Sequence, residues 1–389
     1  MIWLLLFFNG MPAIGSALVP VPHIALQLLP AAALGLAALL AIQLNRHMLI
    51  RPNVVLGLGT LLLAVAFTTS VRGTAGLGAM LRCARFSGFL ATLWLLTPWW
   101  GRHDMLLLRC HLRALLIVMA TIVAGLLVAP SRALGGTQQG RLVGIVWHIP
   151  APQVGQYAAV AAGCAIVGWL SGAIERKYAF PLVVVGVAFI GLSQTRTALL
   201  AVCIGIVLAA LSLVLARPRV RRVFATVVLV APLVLFVAAP ALALWFHRGQ
   251  SSSEISALTG RRAVWASVLS QPRSAFNRWL GFGLSDKSAN GHPIDDTWLA
   301  VYKDEGIVGD VIVGAIFLFV LIAPSFHPPG PQRALALFLV GYCAVASYTE
   351  VTLGDATPYL LHIVAAASLI VPAVAGRAIP ADAGVPVPR

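Results

Sequence analysis

Strings of about twenty apolar residues follow one another along this chain, each long enough to cross a hydrocarbon layer about 30 Å thick. In that solvent every backbone N–H and C=O needs an internal partner, so such strings must be helices. Of the 389 residues, 60% are hydrophobic and 10% charged, too little polar surface for several soluble domains. The pattern predicts an all-α integral membrane protein, a single polytopic domain over 1–389 with about twelve transmembrane helices. Their centres fall near residues 10, 32, 61, 90, 120, 162, 185, 206, 234, 316, 341 and 367. The first string starts Met1-Ile2-Trp3-Leu4 without a positive leader, and a retained span is expected there. Cys83, Cys110, Cys164, Cys203 and Cys343 lie in or beside apolar strings with no CxxC spacing, which predicts neither a disulfide framework nor a zinc site.

A net charge of +15 invites comparison with nucleic-acid binders, but the basic residues stand in short clusters between spans, so membrane topology accounts for them and no nucleic-acid partner is expected. With a cytoplasmic start, clusters such as Arg46 and Arg51, or Arg217, Arg219, Arg221 and Arg222, fall inside. The acids go the other way: nine of the twelve Asp and Glu residues lie between Glu254 and Asp355. Much of that stretch is one long extracytoplasmic loop, 247–305, between spans nine and ten. It opens polar at Gly249-Gln250-Ser251-Ser252-Ser253, then reads as an N-cap at Thr259 and a short helix through Arg261, Arg262 and Trp265. Leu280-Gly281-Phe282-Gly283-Leu284 reads as a flexible turn, and a further helix is expected from Pro293-Ile294-Asp295-Asp296 towards Gly306, with Asp295, Leu299 and Tyr302 on one face. The loop is therefore expected to be partly helical and folded onto the membrane surface.

Several residues there suit chemistry. Arg196, in Ser193-Gln194-Thr195-Arg196, stands between two spans joined almost without a loop. It either snorkels to lipid phosphate or offers its planar fork to a phosphate or diphosphate. Arg261 and Arg262 are adjacent, about 100° apart on a helix, so one of them at most faces a site directly. Arg141 adds outer positive charge or anchors the interface; Arg82 and Arg85 are weaker candidates. Asp295 and Asp296 can serve as a general base or cap the following helix, and the two roles can divide between them. His292 is another possible proton acceptor or a solvated loop residue, while Asp304, Glu305, Glu350 and Asp355 either orient sugar hydroxyls or face water. Gly281-x-Gly283 is no nucleotide signal without a preceding strand, and there is no Walker motif, zinc spacing or GxSxG elbow.

Four segments, taken in order, resemble the O-antigen ligase and polymerase-like family of bacterial membrane glycosyltransferases: Arg141-Leu142-Val143-Gly144 with Pro150 to Gln156; Ser193 to Leu200 around Arg196; Thr259 to Trp265; and Leu280 to Gly283 with Asp295 to Leu299 and Gly306-Ile307-Val308-Gly309. The likeness covers roughly 80–375. It implies an inverting transferase of the bacterial inner membrane, its site facing the periplasm or cell exterior. Such an enzyme moves a glycan from a polyprenyl diphosphate carrier to a glycan or glycolipid acceptor, with membrane lipids as its other partners and no metal or cofactor. It further implies that Arg196 and one of Arg261 and Arg262 hold the diphosphate. The family places a histidine and an asparagine where this chain has Asp295 and Asp296, which implies a different acceptor. A polymerase of lipid-linked repeats fits the same residues. A transporter or flippase of the carrier is a rival from another class, though such proteins carry charge near mid-membrane.

Overall fold

The computed structural model describes residues 1–10, 18, 22–72, 76–102, 104–135, 140–247, 260–351 and 353–371. They form α1 (Ile2–Asn9), α2 (His23–Leu44), α3 (Val54–Arg72), α4 (Gly76–Leu95), α5 (Leu106–Val128), α6 (Pro130–Gly135), α7 (Ala151–Ser171), α8 (Arg176–Ser193), α9 (Arg196–Leu213) and α10 (Pro218–His247). After these come α11 (Arg261–Ser270), α12 (Ala275–Leu280), α13 (Thr297–Ile322), α14 (Pro331–Ala346) and α15 (Pro358–Ile370). Strand pairing among the described residues is confined to β1 (Ser288–Ala289) with β2 (His292–Pro293) and one bridge between Gly144 and Ile149.

Seven of the described helices are long and apolar enough to cross a membrane: α3, α5, α7, α8, α9, α10 and α13 with the turn that extends it to Phe326. The protein is a helical, multi-pass membrane protein. Each expected span centre from residue 32 onward falls inside a helix, whereas the one near residue 10 falls where α1 ends at Gly10. The count of twelve is not reached by length and composition. Three apolar helices are shorter, Leu28–Leu44 of α2, α14 and α15; the bundle largely encloses the last two, and every residue of α15 is buried. A helix wrapped by protein need not match the lipid thickness, so length understates its place in the bundle.

Burial does not follow apolarity. Helix α7, rich in Ala and Gly, is buried over 89% of its most apolar stretch and packs against α8, α9, α14 and α5. Helix α10, the most apolar, has no buried residue in the corresponding stretch. Lipid is as apolar as leucine, so small residues that let backbones approach mark the interior, and large aliphatics face the hydrocarbon. Helix α10 is held near its ends: Arg219 donates to the Trp169 carbonyl at 3.0 Å, and Trp245 Nε1 donates to the Gly191 carbonyl at 3.2 Å.

A polar row crosses the interior. Trp3 Nε1 donates to His111 Nδ1 at 2.8 Å, His111 Nε2 lies 2.7 Å from His362 Nδ1, and His362 Nε2 lies 3.0 Å from the Gln156 side-chain amide. These four side chains, from α1, α5, α15 and α7, are all buried.

Candidate functional site

The site starts at the junction of α8 and α9. Gln194 takes a left-handed conformation (φ 51°) and Thr195 is extended, so the chain reverses in two residues and Arg196 opens α9. Thr195 is buried; its hydroxyl donates to the Ala151 carbonyl at 3.2 Å. Gly155 makes that fit possible, because a Cβ there would sit 2.6 Å from Thr195. The first turn of α7 thereby fixes the backbone from which Arg196 projects.

Arg141 is brought to the same corner. Leu142 N–H donates to the Leu192 carbonyl at 3.0 Å, and Arg141 Nε donates to the Ser193 carbonyl at 2.8 Å. Burial lowers the pKa of its guanidinium; Glu350 opposes that shift, and Arg196 and Arg261 add to it. Three arginines from segments 55 and 65 residues apart thus lie close enough to act on one ionisation.

Arg261 begins α11 after Gly260, whose φ is 85°. Thr259, the expected cap, lies outside the described residues, as do Gly249 to Ser253. Arg261 donates through Nε and Nη2 to Asp295 Oδ2, both at 3.4 Å, and through Nη2 to the Thr349 carbonyl at 3.4 Å. Arg262 is exposed, in keeping with only one of the pair turning to the site.

The two aspartates take different places. Asp296 is buried and caps α13, accepting from Leu299 N–H at 2.8 Å. Asp295 precedes the helix instead of sharing a face with Leu299 and Tyr302, and its side chain is 40% exposed beside Arg261. Burial raises the pKa of both carboxyls; Arg261 opposes the rise at Asp295, and backbone N–H groups of Leu299 and Trp298 oppose it at Asp296. The start of α13 is tied to the segment before α15: Thr297 N–H donates to the Ser347 carbonyl at 2.8 Å, its hydroxyl to the Glu350 carbonyl at 2.6 Å, and Trp298 Nε1 to Ser347 Oγ at 3.1 Å. Those bonds set Glu350 among the arginines. Burial and the nearby Asp295 push its carboxyl up to about 8 against the pull of Arg261 and Arg141.

His292 lies elsewhere in the loop, exposed on the β1–β2 hairpin opposite Ala289. Arg85 is engaged at the end of α1, donating to Asn9 Oδ1 at 3.3 Å and to the Ala356 carbonyl at 3.4 Å. Arg82 stands near Asp286.

The Gly281–Gly283 segment, expected to be flexible, is fixed. Phe282 N–H donates to the Lys303 carbonyl at 3.0 Å and Gly283 N–H to the Asp304 carbonyl at 2.9 Å. Helix α13 kinks at Gly306 (φ 67°, ψ −162°), which leaves those carbonyls without their normal helical partners, and the 281–283 segment supplies the donors. Two residues with no sequence signal complete this clamp. Lys287 forms a buried ion pair with Asp304; burial alone would lower its pKa, but Asp304, Glu305 and Asp355 outweigh that and raise it. Arg273 stacks on Tyr302, 4.1 Å from the ring centre, and on Phe282 at 5.0 Å, while its Nη1 donates to the Tyr302 carbonyl at 2.9 Å.

Neither a protein-family model nor a curated protein sequence matches this chain. Chemically, the corner is a half-buried cluster of three guanidinium groups with one loosely held carboxylate, Asp295, and a second carboxyl, Glu350, that burial holds towards its neutral form. Such a cluster suits an anion carrying two or more charges.

Proposed function

We propose that this protein is an inverting membrane glycosyltransferase that moves a glycan from a polyprenyl diphosphate carrier to an acceptor hydroxyl at the outer face of the bacterial inner membrane. The observation that supports it most is the convergence of Arg141, Arg196 and Arg261 with Asp295 at one corner of the bundle. The guanidinium groups hold the diphosphate and stabilise the negative charge that grows on it in a partly dehydrated interface. The Arg261–Asp295 contact, at 3.4 Å, is longer than the 2.7–2.9 Å usual for a charge-assisted bond. An arriving diphosphate competes for Arg261 and releases Asp295. That carboxylate then takes the proton of the acceptor hydroxyl as its oxygen attacks the anomeric carbon. The carbon–oxygen bond to the diphosphate breaks, the electron pair leaves with the diphosphate, and the single displacement inverts the carbon.

In this reading the three shorter apolar helices, α4 and the apolar string around residue 10 complete about twelve crossings, and the 260–305 segment covers the site from outside. The carrier tail runs beside α10, whose outer anchor at Gly191 is two residues from the Ser193 that receives Arg141. Arg196→Lys keeps the charge but loses the bidentate fork, so transfer from lipid-linked donor in reconstituted membranes is expected to drop at least ~100-fold, the scale of removing one preorganised donor. Full activity in that variant would sink the diphosphate role. Envelope glycolipids of cells lacking the gene separate ligase from polymerase: the first leaves full-length carrier-linked glycan, the second single repeats.

A further inference from the structure

A cavity of about 660 Å³ opens at the end of α5 opposite the arginines. Helix α5 carries Leu106 at the cavity and leads at its other end, through α6, to the segment holding Arg141; its 23 residues make it about 34 Å long. The two sites are therefore about one bilayer apart and do not share a headgroup. The cavity lies between α1, α2, the end of α4 and the start of α5. Buried Trp3 forms its floor, Leu40 and Leu107 stand in its walls, and half-buried Trp99 with exposed Gln43 and Arg46 forms its rim.

Its chemistry is two-sided. The walls are mostly aliphatic and aromatic, and a small hydrated anion would lose its water there for nothing in return. The rim carries a guanidinium, and no carboxylate among the described residues lines the cavity. Arg46 forms no ion pair with a described residue, and Asp104, at the head of α5, is already engaged by Arg102 and Arg109. The volume lies within the range of small-molecule sites, about 300–1,000 Å³. Tryptophans at a rim are common where a protein meets the headgroup layer.

We propose that this cavity is a site for one anionic phospholipid, its phosphate on Arg46 and Gln43 and one acyl chain between Leu40 and Leu107 over Trp3. The shape of the cavity and the charge of its rim both enter. A surface arginine alone would attract any anionic headgroup without retaining one molecule, and an apolar pocket alone would not distinguish headgroups.

The test uses the full chain, purified and delipidated in detergent, then incubated with phosphatidylglycerol or phosphatidylcholine vesicles and read by native mass spectrometry. One phosphatidylglycerol molecule is expected to stay bound through detergent exchange, with phosphatidylcholine lost. Arg46→Glu and, separately, Leu40→Trp, which fills the cavity and leaves the charge, are each expected to cut retention at least ~10-fold, the scale of losing one charge-assisted bond. Arg196→Lys is expected to leave it unchanged, which separates this site from the transferase reading. Equal retention of both lipids, or wild-type retention in Arg46→Glu, overturns the proposal. Loss in Arg46→Glu with full retention in Leu40→Trp also overturns it, because only surface charge would then be at work. Arg46 is exposed at the rim, so its substitution tests binding without disturbing the core.

Discussion

Asp295 and Asp296 are neighbours with opposite environments. Asp296 accepts a backbone N–H and closes the start of α13, so Asp296→Ala is expected to cost about 1 kcal/mol of stability, the ordinary worth of an N-cap, and to lower the thermal midpoint. Asp295 makes no cap, and Asp295→Asn is expected to abolish glycan transfer while leaving that midpoint in place. The reverse pattern in a paired melting and transfer assay would exchange their roles. Glu350 adds a pH signature. Its carboxyl rises from an ordinary 4.5 to about 8 in the folded protein, so between those values the unfolded chain has released a proton that the native protein still holds. Its contribution to stability is fully present below pH 4.5, falls as pH rises through this window, and is lost above about 8. Melting curves of Glu350→Gln should show a weaker decline from pH 5 to 8 than the wild type; parallel curves would remove Glu350 from the cluster. The arginines were legible in the sequence because each sits in a short local motif. Glu350 was legible only as one candidate among several acids, since its setting depends on bonds from Thr297, 53 residues away.

At the scale of elements, the glycines at 281 and 306 decide how the outer loop sits on the bundle. Their backbones touch: a Cβ at Gly306 would meet Trp279 backbone atoms at 2.5 Å, and one at Gly281 would meet the Asp304 carbonyl oxygen at 2.2 Å. Gly306 also holds a conformation that is nearly glycine's alone. Gly306→Ala is therefore expected to destabilise by at least ~2 kcal/mol and to loosen 281–287, seen as faster hydrogen exchange at Phe282 and Gly283. Unchanged exchange at those amides would mean that the kink does not hold the loop. A pattern reading sees Gly-x-Gly and expects freedom, because nothing local shows that the donors of 282 and 283 meet the carbonyls of 303 and 304. The helices fared better, because a hydrocarbon solvent leaves the backbone so few options. Their number did not: α14 and α15, at 16 and 13 residues, are apolar but shorter than the other spans, and protein more than lipid surrounds them.

For the whole molecule, the chain divides its polar groups by depth. Ionised clusters gather towards the ends of the helices, around Arg196 and Arg261 at one end and around Arg46 and Arg102 at the other. Between them runs the row from Trp3 through His111 and His362 to Gln156. An indole only donates, so His111 Nδ1 accepts from Trp3, and His111 Nε2 carries the hydrogen that goes to His362 Nδ1. His111 thus has a single tautomer, and a proton added to it would set its Nδ1–H against the indole N–H. A row that begins at an indole therefore has no free lone pair at its Trp3 end. The bundle can bury a polar seam because neighbouring helices supply one another's partners in place of water.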